Sequence, residues 1–373
     1  MEVTIQPVKT RRDLRKFIYL PEKIHKDHET WMPPLYVDEW TFFNPKKNKS
    51  FQYSDTVLYL AYKGKEVVGR IMGIINHRYN EIHKEKDGRF IFMECYDDQE
   101  VAHALITAVE SWAREKGMSR MVGPLGFSDK DPQGFQIEGF QYQTVVAMVG
   151  NYPYMPRLIE NEGYSKKVDL HDYLIEVPEV LPQLYQRVYD RISGRSTTYE
   201  MLEFSSKKEL KDYIVPCFRL VNEIYAPIYG FVPLTEKEMH ELAKRYLPAL
   251  DPAFAKVVVD KGEVVAFVVG IGDFSEGAKK SRGRLFPFGF IHILRALKRS
   301  KHLVLLLGGI KPEYRNNGLD VLMGIKMLES ASKKGMETIE SHLILETNTP
   351  MIGEVLKVGG ELIKKFRIYQ KGL

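Results

Sequence analysis

The feature that most constrains this 373-residue chain is the repetition of short patterns, in the same order, in its two halves. Thr10 and Ser206 are each followed three residues later by an acid, which is typical of a capping box at a helix start. The turns at Gly64 and Gly262 each separate two strand-like runs, which predicts a hairpin in each half. Equivalent positions are 196 and 198 residues apart, so the chain is predicted to be an internal duplication.

Each half is predicted to contain a strand, one or two helices, a hairpin, another strand, a helix, a strand, a helix and a closing strand. The later helix is predicted at about 99–116 in the first half and 318–334 in the second. Gly117 and Gly335 follow these helices, as expected of a left-handed cap. The duplicated order predicts an α/β fold in which each half builds a mixed sheet.

The boundary between the halves is predicted between Pro178 and Arg195, where a helix flanked by proline gives way to Ser193-Gly194. The closing strands are predicted at 170–177 and 366–370. The two domains are therefore expected to be residues 1–180 and 181–373.

Composition excludes several classes of protein. A hydrophobic content of 44% with 28% charged residues is typical of a globular protein. The net charge of +5 comes with no nucleic-acid-binding signature, and the two cysteines are too far apart for a CxxC metal site. The first residues show no signal-peptide pattern and the longest apolar run, 303–307, is too short to span a bilayer, so a cytoplasmic location is expected.

The segment 311–318, Lys-Pro-Glu-Tyr-Arg-Asn-Asn-Gly, lies between an apolar run at 303–310 and a helical pattern from Val321 onward. The apolar run fits a buried strand. A loop that opens a helix presents unpaired backbone N–H groups, and the helix dipole adds a positive potential. Gly318 would let the backbone approach a phosphate closely. The segment therefore predicts an anion site.

Arg315-x-x-Gly318-x-Asp320 resembles the phosphate-loop signature of the GNAT acyltransferase superfamily, Arg/Gln-x-x-Gly-x-Gly/Ala after a buried strand. Asp320 departs from it, because a carboxylate there would repel a diphosphate unless its side chain points away. Over nearly its whole length the chain is similar to tandem GNAT-like bacterial proteins.

The resemblance implies two tandem GNAT-like domains and an acyl-CoA, acetyl-CoA or a longer one, bound as a substrate. The residues expected to bind it are Gly309, Ile310, Arg315, Asn316, Asn317, Gly318, Leu319, Asp320 and Asn348. The equivalent place in the first half reads Asp97-Asp98-Gln99-Glu100, where acids cap the helix themselves and exclude a diphosphate. The first domain is therefore expected to be a degenerate copy that closes the acceptor cleft, presents its 126–139 loop or forms a dimer.

GNAT enzymes often use a tyrosine in the helix after the last motif, and the family spacing places Val355 there. Glu346 is predicted at the end of the strand 339–346, as a base acting directly or through water, or as a solvated acid. His342 would lie on the same face of that strand, and a structural histidine is the expected role.

Other candidates have equally ordinary alternatives. Tyr225 and Tyr229 are predicted in a helical region that would shape the acceptor pocket or pack in the core. Asp129 and Asp131 could bind a cationic acceptor or belong to a polar loop. Cys95 and Cys217 are predicted to be buried, and no nucleophilic triad is recognisable, nor is any metal site predicted.

The segment 275–302 is longer than a GNAT connection needs, and eight Lys or Arg against one Glu give it a charge of +7. Apolar residues alternate with these cations. Such a segment could bind an anionic membrane through 279–301, cover a long acyl chain or attract the phosphates of CoA. The favoured interpretation is a helix packed against its own domain with a solvated basic face.

The leading hypothesis is an acyl-CoA-dependent N-acyltransferase whose one site, in the second domain, moves an acetyl or longer acyl group to an amine on a small molecule or peptide. One alternative is a transferase of related tandem fold that draws aminoacyl groups from charged tRNA. Another is a non-catalytic protein that binds acyl-CoA or another ligand. Under the leading hypothesis no nucleic acid is expected as a partner.

Overall fold

A computed structural model describes residues 2–145, 148–180, 183–193 and 199–373. In chain order its main elements are β1 (Val3–Pro7), α1 (Arg11–Ile24), α2 (Tyr36–Phe42), β2 (Ser54–Lys63), β3 (Glu66–Asn76), α3 (His77–His83), β4 (Asp87–Cys95), α4 (Gln99–Glu115), β5 (Arg120–Gly123), β6 (Phe135–Glu138), α5 (Tyr154–Asn161), β7 (Ser165–Glu176), α6 (Gln183–Ser193), β8 (Tyr199–Glu203), α7 (Lys207–Ile224), α8 (Glu236–Tyr246), β9 (Ala255–Asp260), β10 (Glu263–Gly272), α9 (Ser275–Ser281), α10 (Gly289–Arg299), β11 (His302–Ile310), α11 (Leu319–Lys333), β12 (Thr338–Glu340), β13 (Ile344–Leu345), α12 (Thr349–Lys357) and β14 (Glu361–Gly372). No helix in these ranges is long and apolar enough to cross a membrane.

The predicted local elements are confirmed where caps and turns define them. Thr10 and Asp13 form the reciprocal capping box at the start of α1. At α7 the box is shifted, since the Glu209 carboxylate accepts from the N–H of Ser205. The later helices end one residue before the predicted ends, followed by Gly117 (φ 78°) and Gly335 (φ 71°).

The chain forms two compact units. The first comprises Met1–His171, Phe274–Ala296 and Ile363–Leu373, and the second comprises Asp172–Asp273 and Leu297–Leu362. These differ from the predicted domains, 1–180 and 181–373, at the closing strands and at the insertion. Part of the predicted boundary, residues 181–182 and 194–198, lies outside the described residues.

The two units build their sheets in the same order. In the first, β1, β2, β3 and β4 are antiparallel neighbours, β5 is parallel to β4, and β14 is antiparallel to β5. In the second, β8, β9, β10 and β11 are antiparallel neighbours, β12 is parallel to β11, and the end of β7 is antiparallel to β12. This repeated order matches the duplication.

Each half gives its closing strand to the other unit. Tyr369 of β14 pairs with Gly123 of the first unit, and Ile175 of β7 pairs with Ile339 of the second. Placing these strands with their own halves was therefore wrong. The hydrophobic pattern identifies a strand but does not identify its partner, because either sheet offers a buried position to the same side chains.

The insertion packs against the first unit, which corrects the prediction that it packs on its own domain. The N–H of Tyr36 donates to the carbonyl of Gly283 (2.9 Å), and the Arg284 guanidinium donates twice to the Glu22 carboxylate (2.9 and 2.7 Å). A β-carbon at Gly283 would lie 2.1 Å from the carbonyl oxygen of Pro34, so only glycine permits this approach.

Candidate functional site

The loop after β11 is held to its own unit by three hydrogen bonds. The N–H of Lys311 donates to the carbonyl of Val265 (2.8 Å), and the Tyr314 hydroxyl donates to Asp260 (2.5 Å). The latter bond raises the pKa of Tyr314. The Arg315 Nε donates to the carbonyl of Ile310 (3.1 Å). The short turn Pro312–Tyr314 and Asn316 (φ 61°) then lead the chain into α11.

The start of α11 has no cap from a side chain. Gly318 occupies the N-cap position in the left-handed region (φ 82°), and its carbonyl accepts from the N–H of Leu322 (3.0 Å). Within the described chain, the backbone N–H groups of residues 316–321 donate to no protein acceptor. Successive free amides at the positive end of a helix of 15 residues are suited to binding an anion, and the predicted anion site stays a prediction.

The strand that precedes the loop has an open edge. β11 pairs with β12 only from His302 to Val304, whereas its other edge pairs with β10 as far as Ile310. A bulge at Leu306, between Leu305 and Leu307, interrupts the pairing with β10. Beyond Val304 no described strand pairs with this edge of β11. Gly308 bonds there to the Tyr225 hydroxyl and the Ile310 carbonyl accepts from Arg315, so an extended ligand that runs from the loop towards the point where the strands part would use the remaining edge groups or displace these side chains.

The predicted cofactor residues have different structural positions. Gly308 and Gly309 lie beneath the end of α7, where a β-carbon at Gly309 would be 2.1 Å from Ile224. The atom in question is the terminal Cδ1 of Ile224, which a change of rotamer moves away, so the role of Gly309 in binding stays a prediction. Asn348 is the N-cap residue of α12 and accepts from the N–H of Met351 (3.4 Å). The part that Arg315, Asn316, Asn317, Gly318 and Leu319 play in binding stays a prediction.

Asp320 lies in the first turn of α11, and the cation whose pKa responds to its charge, Lys357, is paired with a different acid. The pKa of Lys357 on α12 is raised first by its hydrogen bond to Glu354 (2.6 Å) and, more weakly, by the charge of Asp320. The Asp320 carboxylate therefore lies within electrostatic range of an ammonium group. Because Lys357 is exposed and forms its ion pair with Glu354, the repulsion that the sequence predicts between Asp320 and a diphosphate stays a prediction.

The first unit fills the equivalent helix start with its own side chain. Asp98 is the N-cap residue of α4, and its carboxylate accepts from the N–H groups of Glu100 (3.1 Å) and Val101 (3.3 Å). Lys63 pairs with the same carboxylate at 2.5 Å, which lowers the pKa of Asp98. An anion would have to displace this carboxylate, in agreement with the proposal that the first copy is degenerate.

The predicted strand 339–346 is broken, which corrects the face assigned to His342 and Glu346. β12 ends at Glu340, His342 has a φ of 58°, and β13 spans only Ile344–Leu345. Because the chain bends at 341–343, the two-residue alternation does not carry across it. Glu346 lies half-buried in the turn after β13, and its role as a base stays a prediction.

The two tyrosines also differ from expectation. α7 ends at Ile224, so Tyr225 is its C-cap residue and Tyr229 lies in the following loop, not one helical turn farther along. The Tyr225 hydroxyl donates to the carbonyl of Gly308 (2.8 Å) on β11. Tyr225 is therefore brought to the strand of the site by a contact, while the role of Tyr229 stays untested.

A histidine that the sequence interpretation missed lies at the start of the paired stretch of β11 and β12, two residues before the strands part. His302 Nε2 is 3.0 Å from a Glu340 carboxylate oxygen, and Nδ1 is 2.7 Å from the Thr338 hydroxyl. A carboxylate only accepts, so Nε2 carries a proton in this contact, while the Thr338 hydroxyl can either donate to Nδ1 or accept from it. The sequence signal was weak, since Thr338 and Glu340 alternate along one short strand 36 and 38 residues from the histidine.

The face of the sheet that carries His302 follows from packing. Leu303 and Leu305 pack with residues of α11, whereas Leu306 and Leu307 pack with residues of α7. His302 alternates with Leu303 and so points to the α7 face. This is also the face on which α7 places the Tyr225 hydroxyl against β11.

The remaining candidates have structural roles. The Asp129 carboxylate pairs with Lys130 (3.0 Å), and Asp131 accepts from the N–H of Ser128 (3.2 Å) while burial raises its pKa to about 6. Burial raises the pKa of Cys95 and Cys217, that of Cys217 to about 12, which does not favour nucleophilic thiolates. Val355 is buried in the core of the second unit. Within the described ranges no cluster of His, Cys, Asp and Glu could hold a metal ion.

The sequence and the fold of the chain are similar to those of several known proteins. No family model matches the chain. It is 27% identical over 379 residues to the bacterial ceramide synthase of Caulobacter vibrioides, covering 100% of this chain and 98% of that protein. It is 26% identical over 369 residues to protein YghO of Escherichia coli, covering 97% and 93% of the two chains.

A tandem GNAT protein from the clavulanic acid biosynthesis pathway, a solved structure, covers 100% of this chain and 98% of its own. The TM-score is 0.56 at 11% sequence identity, a likeness that concerns the fold. The predicted α/β class and tandem GNAT-like architecture are thus confirmed. The chain therefore has a tandem GNAT-like fold.

Proposed function

We propose that the chain is an acyltransferase that moves an acyl group from coenzyme A to the amine of a long-chain, amphiphilic acceptor, at one site in the second unit. The observation that carries this proposal is the open edge of β11 beside the uncapped start of α11. A coenzyme A thioester has a diphosphate and an extended arm containing amide groups. The amides of 316–321 suit the diphosphate, and the edge of β11 beyond Val304 suits the arm.

The class of acceptor is suggested by similarity over the full length of both chains to a bacterial ceramide synthase. A ceramide is the N-acyl derivative of a long-chain amino alcohol. Its synthesis from an acyl-CoA therefore forms an amide bond, which is the reaction type that the fold suggests. We extend this class of acceptor, and not a particular lipid, to the present chain.

The residues of the second unit suit this chemistry. The acceptor nitrogen attacks the thioester carbon, a C–N bond forms, the C–S bond breaks, and the nitrogen loses one proton. His302 Nδ1 has a lone pair for that proton once the Thr338 hydroxyl turns away, and Glu340 stabilises the imidazolium that results. The backbone of His302 lies about 7 Å before Val304, on the paired side of the parting point, and its side chain reaches towards that point through Glu340, the pairing partner of Val304.

Substituting His302→Gln is expected to lower kcat about 100-fold, the scale of general base catalysis, while the Kd for acyl-CoA changes little. Glu340→Gln, which keeps the shape of the carboxylate, should lower kcat less and shift the acidic limb of the pH–rate profile. Glu346→Gln is the matched comparison, because it tests the base predicted from sequence. Full activity in His302→Gln with loss in Glu346→Gln would reassign the base to Glu346.

The acceptor is tested with purified protein, acyl-CoA donors from acetyl to long-chain, and long-chain or short-chain amines. We expect release of the coenzyme A thiol together with an N-acylated long-chain amine, identified by mass spectrometry. Saturable acyl-CoA binding without product would favour the non-catalytic alternative. Transfer only from charged tRNA, with no binding of any acyl-CoA, would contradict the proposal.

A further inference from the structure

The first unit carries an apolar projection on the insertion, formed by Phe286, Phe288, Phe290 and Leu294. These side chains are 80%, 69%, 44% and 60% exposed, respectively. All 19 phenylalanines of the chain lie in the described ranges, and the three in the projection are the only exposed ones. Large apolar side chains concentrated in this way on a folded surface usually mark a contact with a partner or a membrane.

The projection is folded tightly by contacts within its own backbone. The N–H of Phe290 donates to the carbonyl of Leu285 (2.9 Å), and the N–H of Ile291 donates to that of Phe288 (3.0 Å). A β-carbon at Gly289 would lie 1.7 Å from the carbonyl oxygen of Arg284, so the backbone is tightly folded behind the phenylalanines. The exposed rings are therefore presented by an ordered turn that cannot bury them locally.

Helix α10 and the segment that precedes it carry cations beside these apolar groups. Phe290 and Leu294 are four residues apart and lie within about 40° of each other around the helix, on its exposed side. Arg295 follows on the flank, and Lys280 and Arg282 precede the projection. Within the described chain, these three exposed cations form no ion pair. Glu276 is the one acid in the whole segment 275–302.

A basic cavity of about 290 Å³ lies on α1 of the same unit. Its lining contains four cations and no carboxylate, and consists of Arg12, Arg15, Lys16, Tyr19, Leu20, Lys23 and Val67. The cations recur at helical spacing along one face of α1. Such a cavity has the charge and the donors to bind a phosphate group.

The cavity adjoins the insertion through Tyr19. The guanidinium of Arg15 lies 5.8 Å from the Tyr19 ring centroid, and that of Arg284, from the insertion, lies 5.5 Å from it. Arg284 is also 5.3 Å from the Tyr36 ring. The basic cavity and the base of the apolar projection are thus neighbours on one unit.

We propose that this face of the first unit binds the surface of an anionic phospholipid bilayer. The phenylalanines and Leu294 enter the boundary between headgroups and acyl chains, and a lipid phosphate occupies the cavity on α1. Amphipathic helices with Phe or Leu on one side and Lys or Arg on the flank lie in this way at membrane interfaces. Membrane binding goes beyond the proposed function and does not depend on it.

Charge decides between a bilayer and a protein partner. Around a contact between two proteins, the charged residues can have either sign, because they need only be complementary to those of the partner. Around a contact with an anionic bilayer, cations are favoured, because the surface attracts every Lys and Arg near it. The cavity, Lys280, Arg282 and Arg295 all carry the same sign. Cations outnumber the nearby acids Glu22 and Glu276 around the projecting apolar turn, and this excess fits a continuous anionic surface.

The test is co-sedimentation of the full-length protein with vesicles of phosphatidylcholine alone or mixed with equal phosphatidylglycerol. Binding is expected only to the mixed vesicles and should weaken as salt rises. The triple variant Phe286→Ser, Phe288→Ser and Phe290→Ser should lower the partition coefficient about tenfold or more. The triple variant Arg12→Glu, Arg15→Glu and Lys23→Glu should lower it to a similar extent and reduce the salt dependence.

Two control variants match these changes away from the proposed face. Ile82→Ser replaces a side chain on α3 that is 51% exposed, and Lys65→Glu reverses an exposed charge in the β2–β3 turn. Both should bind vesicles as the unchanged protein does. Thermal unfolding of every variant establishes that the fold is retained.

Three results would overturn the proposal. In the first, the phenylalanine variant binds the mixed vesicles normally. In the second, no vesicle is bound, but inorganic phosphate protects the protein against thermal unfolding, and this protection depends on Arg12 and Arg15. That result would make the cavity a site for a free anion. In the third, the phenylalanine variant changes the oligomeric state in sedimentation and no vesicle is bound, which would make the projection a contact between copies of the chain.

Discussion

Replacing Gly318 with leucine is expected to raise the Kd for acyl-CoA at least about 100-fold in calorimetry. Gly318 has a φ of 82° and precedes the free amides at the start of α11. A leucine side chain there would occupy the space that a diphosphate needs, and each charge-assisted hydrogen bond that is lost costs about 1.5–3 kcal/mol. The loss of two such hydrogen bonds accounts for the expected change in Kd, because each tenfold change in Kd corresponds to about 1.4 kcal/mol of binding free energy.

Gly335→Leu is the matched control, since Gly335 follows the other end of the same helix and has a φ of 71°. A β-carbon there meets nothing within 4 Å. Both variants carry a strain of about 1–2 kcal/mol from the left-handed backbone, so their stabilities should fall alike. Affinity that survives in Gly318→Leu, or falls equally in Gly335→Leu, would refute the assignment of the loop.

Replacing Phe366 with alanine is expected to cost about 3–5 kcal/mol of the free energy of unfolding, the scale for a fully buried aromatic side chain. Phe366 is 0% exposed and pairs with Gln136 of the first unit. The loss should therefore appear in the first unit, although Phe366 lies at the end of the second half. This loss of stability is measured as faster hydrogen exchange of the backbone amides of β4.

Leu362→Ala on the same strand is the control, because Leu362 is 41% exposed and its truncation should cost much less. Faster exchange confined to the amides of β11 in Phe366→Ala would contradict the exchange of closing strands. Faster exchange in β4, with β11 protected, would support it.

Local patterns were sufficient for much of the fold. The hydroxyl and acid at Thr10 and Asp13 predict the start of α1, and the glycines at 117 and 335 predict the ends of α4 and α11. These features depend on residues a few positions apart, whose hydrogen bonds form wherever the segment lies. The same is true of the loop that ends at Gly318.

The candidate site depended on contacts that no local pattern contains. His302 meets Thr338 and Glu340 only because β11 and β12 are parallel neighbours in one register. The break at 341–343 removes the alternation on which the roles of His342 and Glu346 were based. Arg315 turns back to the carbonyl of Ile310, a bond that competes with a ligand for the same guanidinium.

The sequence by itself determined the duplication, the order of the elements in each half and the uncapped helix start after the loop of the second copy, since each depends on short-range spacing. Only the tertiary structure decided that the closing strands are exchanged, that the insertion packs against the first unit, and that β11 and β12 part beyond Val304. The physical reason is that strand pairing and surface packing join segments far apart in the chain. A strand or a surface segment pairs with the partner whose buried position its side chains fill best. A hydrophobic pattern does not encode that choice.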